Sequence, residues 1–415
     1  MNYANFTKDE LLNELNSLKL KAAVYAAKGI KLDLSRGKPC AEQLDLSMPM
    51  LSRTLDYVRS IDYRNYGMLE GIPEVRNLFA QLLDVDIDNV IALGNSSLNL
   101  MYDAISRAVT FGVAGGEPWE KGSKFICPVP GYDRHFKITE TFGIEMVNVP
   151  MTADGPDMDV VEELVKDEKV KGIWCVPKFS NPDGLVYSDE TVKRLARLQP
   201  ASKSFRIFWD NAYFIHEVYG EVPLCNIFEE AKKAGNEDIV FMFASTSKMT
   251  FPGSGIAFMI ASKNNLDFIK KYLSAQTIGP DKMAQLMHAE FFPTPDALRA
   301  HMAKHAEIIR PKFDMLCDAL EGMKKCGVVD YVRPLGGYFA SAFLKKGTAK
   351  RTVELCKKCG VTLTPAGSTY PYGKDPDDSN LRLAPTFATL DELKMALEIF
   401  ECCVRLTHVE ALIKE

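Results

Sequence analysis

The sequence predicts an α/β fold: a three-layer α/β/α large domain built on a mainly parallel sheet, with a smaller α+β domain beside it. Three observations predict it. From about Val90 to Ala261 seven short apolar runs succeed one another, VIAL, KFICPV, IEMVNV, GIWCVP, FRIFWD, IVFMFA and GIAFMIA. Most are separated by stretches long enough and suitably patterned for a helix, the alternation of a parallel sheet covered on both faces. After Pro295 the rhythm changes to one long helical pattern and then to brief apolar runs at VVDYV, YFASAFL, VTLTP and NLRLA. Residues 53–300 are therefore expected to form the large domain, and 1–52 together with 301–415 the small one.

In chain order, Thr7-x-x-Glu10 is a capping signature ahead of Leu11, Leu15 and Leu18 at helical spacing, and Gly29 supplies the stop. The seven runs follow. The segment DALRAHMAKHAEIIRPKFDMLCDALEGMKKCG predicts a helix, as do residues near 347–359 and 389–408, the latter opening on Thr389-x-x-Glu392. No repeat, low-complexity tract or linker divides the two units, so they share an interface, a favoured place for a ligand.

Composition narrows the function. The 415 residues, 47% hydrophobic and 25% charged with a net charge of -5, describe a folded globular chain with no electrostatic footprint for nucleic acid or an acidic membrane surface. The start MNYANFTKDELLNEL lacks the features of a signal peptide, and no apolar run approaches the roughly 20 residues of a membrane span. A cytoplasmic location and a small-molecule partner are expected. The ten cysteines read as reduced thiols, and Cys356-x-x-Cys359, in a helical stretch without a second pair, reads as buried packing rather than a metal site.

The chemistry gathers at predicted strand ends, where ligands bind in α/β sheets. In FASTSKMTFPGSG a strand runs into Ser245, Thr246, Ser247 and Lys248, a lysine placed for a Schiff base with a carbonyl cofactor and hydroxyls placed for its phosphate. Alone, Lys248 reads more readily as a solvated loop lysine. FRIFWDNAYF puts Asp210 at a strand end and Tyr213 three residues on; a buried carboxylate there needs a cation such as a protonated pyridine nitrogen, or else caps a helix. GIWCVPKFSNPDG delivers Asn181 in what is also an ordinary turn, and KFICPVPGYDRHF delivers Tyr132, whose ring could stack on a planar group. VIALGNSSLNL reads as strand, turn and helix start, an anion site built from Asn95, Ser96, Ser97 and backbone amides.

The ordered set Tyr66…Gly71, Asn95-Ser96-Ser97, Tyr132, Asn181-Pro182-x-Gly184, Asp210-x-Ala212-Tyr213, Ser245-x-x-Lys248, Gly336-Gly337-Tyr338-Phe339, Pro365-Ala366-Gly367 and Arg382 spans about 320 residues and resembles the class I/II aminotransferases of fold type I. With LSRGKP, STSKMTF and TIGPDK, the chain is most similar to the divergent aspartate aminotransferases related to the aminotransferase domain of MocR-type regulators. The resemblance implies pyridoxal 5'-phosphate on Lys248, which also shuttles the substrate Cα proton. It implies Asp210 at the pyridine nitrogen, Asn181 and Tyr213 at the phenolic oxygen and Tyr132 stacked on the ring. Asn95, Ser96, Ser97 and Ser245 fall at the phosphate, and Tyr66 reaches the phosphate of a neighbouring subunit in a homodimer with shared sites. Arg382 clamps the substrate carboxylate, with Asn181 and Gly37 beside it; its alternative is a structural ion pair.

Two departures stand out. The arginine expected two residues after the Pro-Gly that follows the lysine is replaced by Gly255, and Lys282 of TIGPDK is the expected substitute for its charge, possible across the dimer. Spacing does not fix the ligand of a distal substrate carboxylate; Arg36 and Arg134 are the candidates, and each reads equally as a surface or ion-pair residue. His301 and His305, four apart on a helix without a zinc-protease pattern, read as helix-face residues. The expected reaction is transamination, most directly L-aspartate with 2-oxoglutarate giving oxaloacetate and L-glutamate. The alternatives are a transaminase for alanine or aromatic amino acids, another reaction of the same cofactor such as a β-lyase, or a non-catalytic regulator, against which the lack of a DNA-binding segment ahead of the first helix argues.

Overall fold

A computed structural model describes residues 3–414. All seven apolar runs form strands of one sheet. Its order across the sheet is Val90–Ala92, Ala257–Ala261, Val240–Ser245, Arg206–Asp210, Val170–Cys175, Lys124–Val129, Glu145–Thr152 and Gly155–Pro156. The five strands from Val240–Ser245 to Glu145–Thr152 are parallel, whereas Ala257–Ala261, Val90–Ala92 and Gly155–Pro156 pair antiparallel. The link from Val240–Ser245 to Ala257–Ala261 holds only a brief 3-10 turn at Pro252–Ser254, too short for a crossover helix, which is why that pair runs antiparallel.

Both sheet faces are apolar, so the strands read as continuous runs rather than alternating ones. Along Val240–Ser245, Phe241 and Phe243 enter one core with Phe125, Trp174 and Phe208, while Met242 and Ala244 enter the other with Phe79, Trp209 and Phe258. The first core is covered by helices Ser97–Phe111, Asp133–Thr141 and Lys263–Gln276, the second by Pro73–Leu83, Asp189–Ala196 and the amino-terminal half of Pro295–Lys325. Burying one such phenylalanine is worth roughly 1.5–3 kcal/mol.

The smaller unit contains an antiparallel sheet, Val329–Asp330, Ala340–Leu344 and Asn380–Leu383, with helices Lys8–Ala27, Ala349–Lys358 and Leu390–Lys414. Both predicted capping boxes form: Thr7 exchanges bonds with Glu10, and Thr389 with Glu392. Residue 300, the expected domain edge, falls inside the continuous helix Pro295–Lys325. That helix places Leu298 and Met302 in the core of the large sheet and Leu316 and Leu320 in that of the small unit. Nine cysteines are buried and Cys225 is half-buried, all ten as free thiols. Among the described residues no His, Cys, Asp or Glu cluster could hold a metal, and no helix is long and apolar enough to cross a membrane.

Candidate active site

Four parallel strands end on one cavity of about 130 Å³, lined by Ser96, Ser97, Tyr132, Asn181, Asp210, Tyr213, Ser245, Ser247 and Lys248. It includes the point where the strand after Lys124–Val129 is added on one side and Val170–Cys175 on the other, the crevice where open sheets bind ligands. A larger cavity of about 740 Å³ lies elsewhere, among Asn211, Val222 and Met302. Size therefore does not pick the site; the convergence of titratable groups does.

Asp210 ends its strand with its side chain 4% exposed. Its Oδ2 accepts from His135 Nε2 at 2.9 Å, and its buried Oδ1 has no hydrogen-bond partner. His135 is held flat against Trp174, with ring centroids 4.2 Å apart and planes 8° apart, while Trp174 Nε1 donates to Thr139 at 2.9 Å. A buried carboxylate with one oxygen bonded to a ring N–H and one unmet is a socket for a second cationic donor. Sequence reasoning missed His135; its signal was its place three residues after Tyr132 on the following helix, which turns both toward the strand ends.

Lys248 Nζ stands 4.8 Å from the centre of the Tyr213 ring. Burial pushes its ammonium below the usual lysine value, and the charge of Asp210 opposes that shift. Burial raises the Tyr213 and Tyr132 phenols well above their ordinary range, so both rings stay neutral. The main chain at the lysine is fixed from behind: Tyr338 Oη donates to the Lys248 carbonyl at 3.3 Å, and Gln43 Nε2 donates to Tyr338 at 3.0 Å and meets His305 Nδ1 at 2.9 Å. His301 Nε2 donates to the Met249 carbonyl at 2.8 Å and lies 3.0 Å from His305 Nε2. The two histidines thus occupy a helix face as expected, but an inward one that braces the lysine turn. The sequence does not reveal this because the bracing partner, Gln43, is 262 residues from His305.

Ser96 caps the helix Ser97–Phe111, its hydroxyl accepting from the Leu98 amide, and the cavity meets that amino terminus. Ser245 and Ser247 stand opposite, their hydroxyls 3.1 Å apart. Asn95 is exposed and contributes its carbonyl, which accepts from Ser247 at 3.3 Å. Lys248 is the one cation among the described lining residues. Gly255 is confined: a Cβ there would lie 3.2 Å from both the Asn95 carbonyl and Thr246 Oγ1. Lys282 does not line the cavity of its own chain; its Nζ donates to the Gly67 carbonyl at 3.2 Å. With Gly279, whose Cβ would fall 2.2 Å from that same oxygen, it clamps the Tyr66–Met68 loop. Tyr66 itself is 83% exposed and lies outside the cavity of its own chain.

Arg382, on Asn380–Leu383, sits beside the cavity with Nη1 donating to Asn181 Oδ1 at 3.1 Å and to Asp133 Oδ1 at 2.8 Å, its guanidinium 4.8 Å from the centre of the Phe339 ring. Gly37 abuts that same ring, where a Cβ would lie 2.0 Å from Phe339 Cζ. Its place is to let the chain close on Phe339, and it does not line the cavity. Neither candidate for a distal carboxylate lines it either: Arg36 pairs with Asp33 at 2.7 Å near Phe387, and Arg134 is exposed.

Two buried imidazoles near the lysine set an acid limit. His216, 5.7 Å from both Tyr213 and Tyr338, is pushed down to about 3 by burial, reinforced by Lys248, and His305 to about 3 by burial and then His301. Unfolded histidine titrates near 6.5, so between pH 6.5 and 3 the unfolded chain binds protons that the native chain refuses. Stability falls as pH drops through that window, with each histidine contributing. Asp183 contributes oppositely: burial lifts its carboxyl to about 7, so the stability it adds is lost as pH rises from the ordinary carboxylate value to 7. Urea midpoints measured from pH 7 to 4 are expected to fall less steeply in His216→Asn than in the unsubstituted chain; equal slopes would refute this.

Comparison with known proteins agrees with this fold. Residues 6–415 match the family described as aspartate amino-transferase. An aspartate aminotransferase of Corynebacterium glutamicum is 44% identical over 402 residues, 95% of this chain and 93% of that one. The crystal structure of an aspartate transaminase from Corynebacterium glutamicum superposes with a TM-score of 0.96 at 42% identity, covering 99% of each chain. An alpha-aminoadipate aminotransferase of Thermus thermophilus, solved with N-(5'-phosphopyridoxyl)-L-leucine, shares the fold with a TM-score of 0.76 at 22% identity over 94% of this chain and 95% of that one.

Proposed function

The chain belongs to the aspartate amino-transferase family and is an aminotransferase, and on that premise we propose that it uses pyridoxal 5'-phosphate to exchange the amino group of L-aspartate with 2-oxoglutarate, giving oxaloacetate and L-glutamate. One observation carries the reading: Lys248 and the half-unmet carboxylate of Asp210 face one cavity whose other wall is a serine-lined helix terminus. The cofactor, when bound, supplies a carbonyl that takes up the amino group and a ring that draws electron density from the substrate Cα.

The chain's own residues do the rest. Lys248 moves the proton at the substrate Cα, a task for which an amine with a lowered pKa is suited. Asp210, oriented by His135 and with Oδ1 unmet, would hold a positive charge at the ring nitrogen. Tyr132, Asn181 and Tyr213, which line the same cavity, would hold the cofactor ring, Tyr132 by its face and the other two at the phenolic oxygen. Ser96, Ser97, Ser245, Ser247 and the amides of the helix Ser97–Phe111 would bind the phosphate, replacing an arginine with neutral donors and a helix dipole. Arg382 with Asn181 holds the substrate α-carboxylate, and the exposed Tyr66 serves the site of a second copy in a homodimer.

Purified, cofactor-loaded protein given L-aspartate and 2-oxoglutarate is expected to form oxaloacetate and glutamate in equal amounts. Faster turnover of alanine or aromatic donors under the same conditions would replace the aspartate assignment.

A further inference from the structure

We propose that Asp133 is a built-in competitor for the substrate-binding arginine and thereby sets the affinity of the site for carboxylate substrates. The inference rests on the aminotransferase reading, with Arg382 as the carboxylate ligand. Arg382 is 9% exposed, and its charge meets one carboxylate, Asp133 Oδ1, at 2.8 Å. Its other partner, the Asn181 amide oxygen at 3.1 Å, is neutral and shares the same Nη1. Nε is buried and has no hydrogen-bond partner. The guanidinium therefore carries an internal carboxylate on one nitrogen and keeps another unmet, the state of a fork that can take a second carboxylate.

Asp133 is also the first residue of the helix Asp133–Thr141, where backbone amides favour an anion. The helix and the arginine together hold its carboxylate in place. An incoming substrate must share Arg382 with Asp133, against like-charge repulsion, or displace it and break an ion pair. Either route weakens binding, and more so the more negative the molecule. A 2-oxo diacid carries two negative charges and no ammonium, whereas L-aspartate carries one net negative charge. Asp133 thus disfavours the oxo acid more than the amino acid, and keeps substrate and product from binding too tightly to leave.

The test is calorimetric titration of the cofactor-loaded enzyme with succinate, a dicarboxylate that cannot react. Asp133→Asn, close in shape but uncharged, is expected to bind succinate about tenfold more tightly, which is about 1.4 kcal/mol. Its KM for 2-oxoglutarate falls more than that for L-aspartate, and added salt narrows the difference from the unsubstituted enzyme. Asp133→Ser, which also suits a helix start, moves both quantities the same way. Unchanged or weaker succinate binding in both variants would overturn the proposal and make Asp133 a support for Arg382. An unsubstituted enzyme that transaminates nothing would instead defeat the functional reading beneath it.

Discussion

Replacing Lys248 with alanine is expected to lower kcat by roughly 10⁴-fold or more, while the melting temperature changes little. A positioned proton-transfer group contributes about 10²–10⁴-fold, and loss of a covalent attachment point adds to that. The lysine is the one cation among the described residues lining the cavity, so nothing near it can take over its role. The fold should survive, because what ties this turn to its surroundings is main chain: Tyr338 to the Lys248 carbonyl, His301 to the Met249 carbonyl and Thr246 N–H to the Ile256 carbonyl. Steady-state kinetics with a thermal melt checks both halves. Residual kcat within tenfold of the unsubstituted enzyme would remove Lys248 from the chemistry.

Asp210→Asn should cost roughly 10²–10³-fold in kcat, the scale of removing one preorganised electrostatic contact from an active site. Asparagine is the informative replacement, since its amide oxygen still accepts from His135 Nε2 and leaves the Trp174 stack undisturbed. What it removes is charge at the buried Oδ1. Asp210→Ala removes both and leaves the His135 N–H buried without an acceptor, a penalty of about 1–3 kcal/mol in stability as well. If the asparagine variant kept near-normal kcat while only the alanine variant failed, Asp210 would be a support for His135 and not a partner of the cofactor ring.

The sheet was legible because both of its faces are buried, so each strand announced itself as a short apolar run, and because Asp210 ends such a run and Tyr132, Asn181 and Lys248 come within four residues of the end of one. The carboxyl ends of parallel strands converge, and order along the chain therefore translated into one cavity. Contacts closed by distant segments were not legible. His135 looked like any helix residue until it met Asp210, 75 positions away, and Gln43 gives no sign of reaching His305. Lys282 was expected at a phosphate, possibly across the dimer, because a charge was missing there; within its own chain its ammonium meets the Gly67 carbonyl beside Gly279, next to Tyr66. Asp133 escaped notice for the same reason, since its partner Arg382 lies 249 residues on. Gly37 and Arg36 were placed by resemblance alone, and their surroundings are the Phe339 ring and the Asp33 carboxylate.

The central claim is that Lys248 and Asp210 operate a pyridoxal-phosphate site that accepts and returns an amino group. Visible absorption of the purified protein tests it most directly. The cofactor-loaded protein should be yellow, lose its visible band on addition of L-aspartate, and regain it on addition of 2-oxoglutarate. A colourless protein that takes up no pyridoxal phosphate, or a yellow one whose spectrum no amino acid changes, would contradict it.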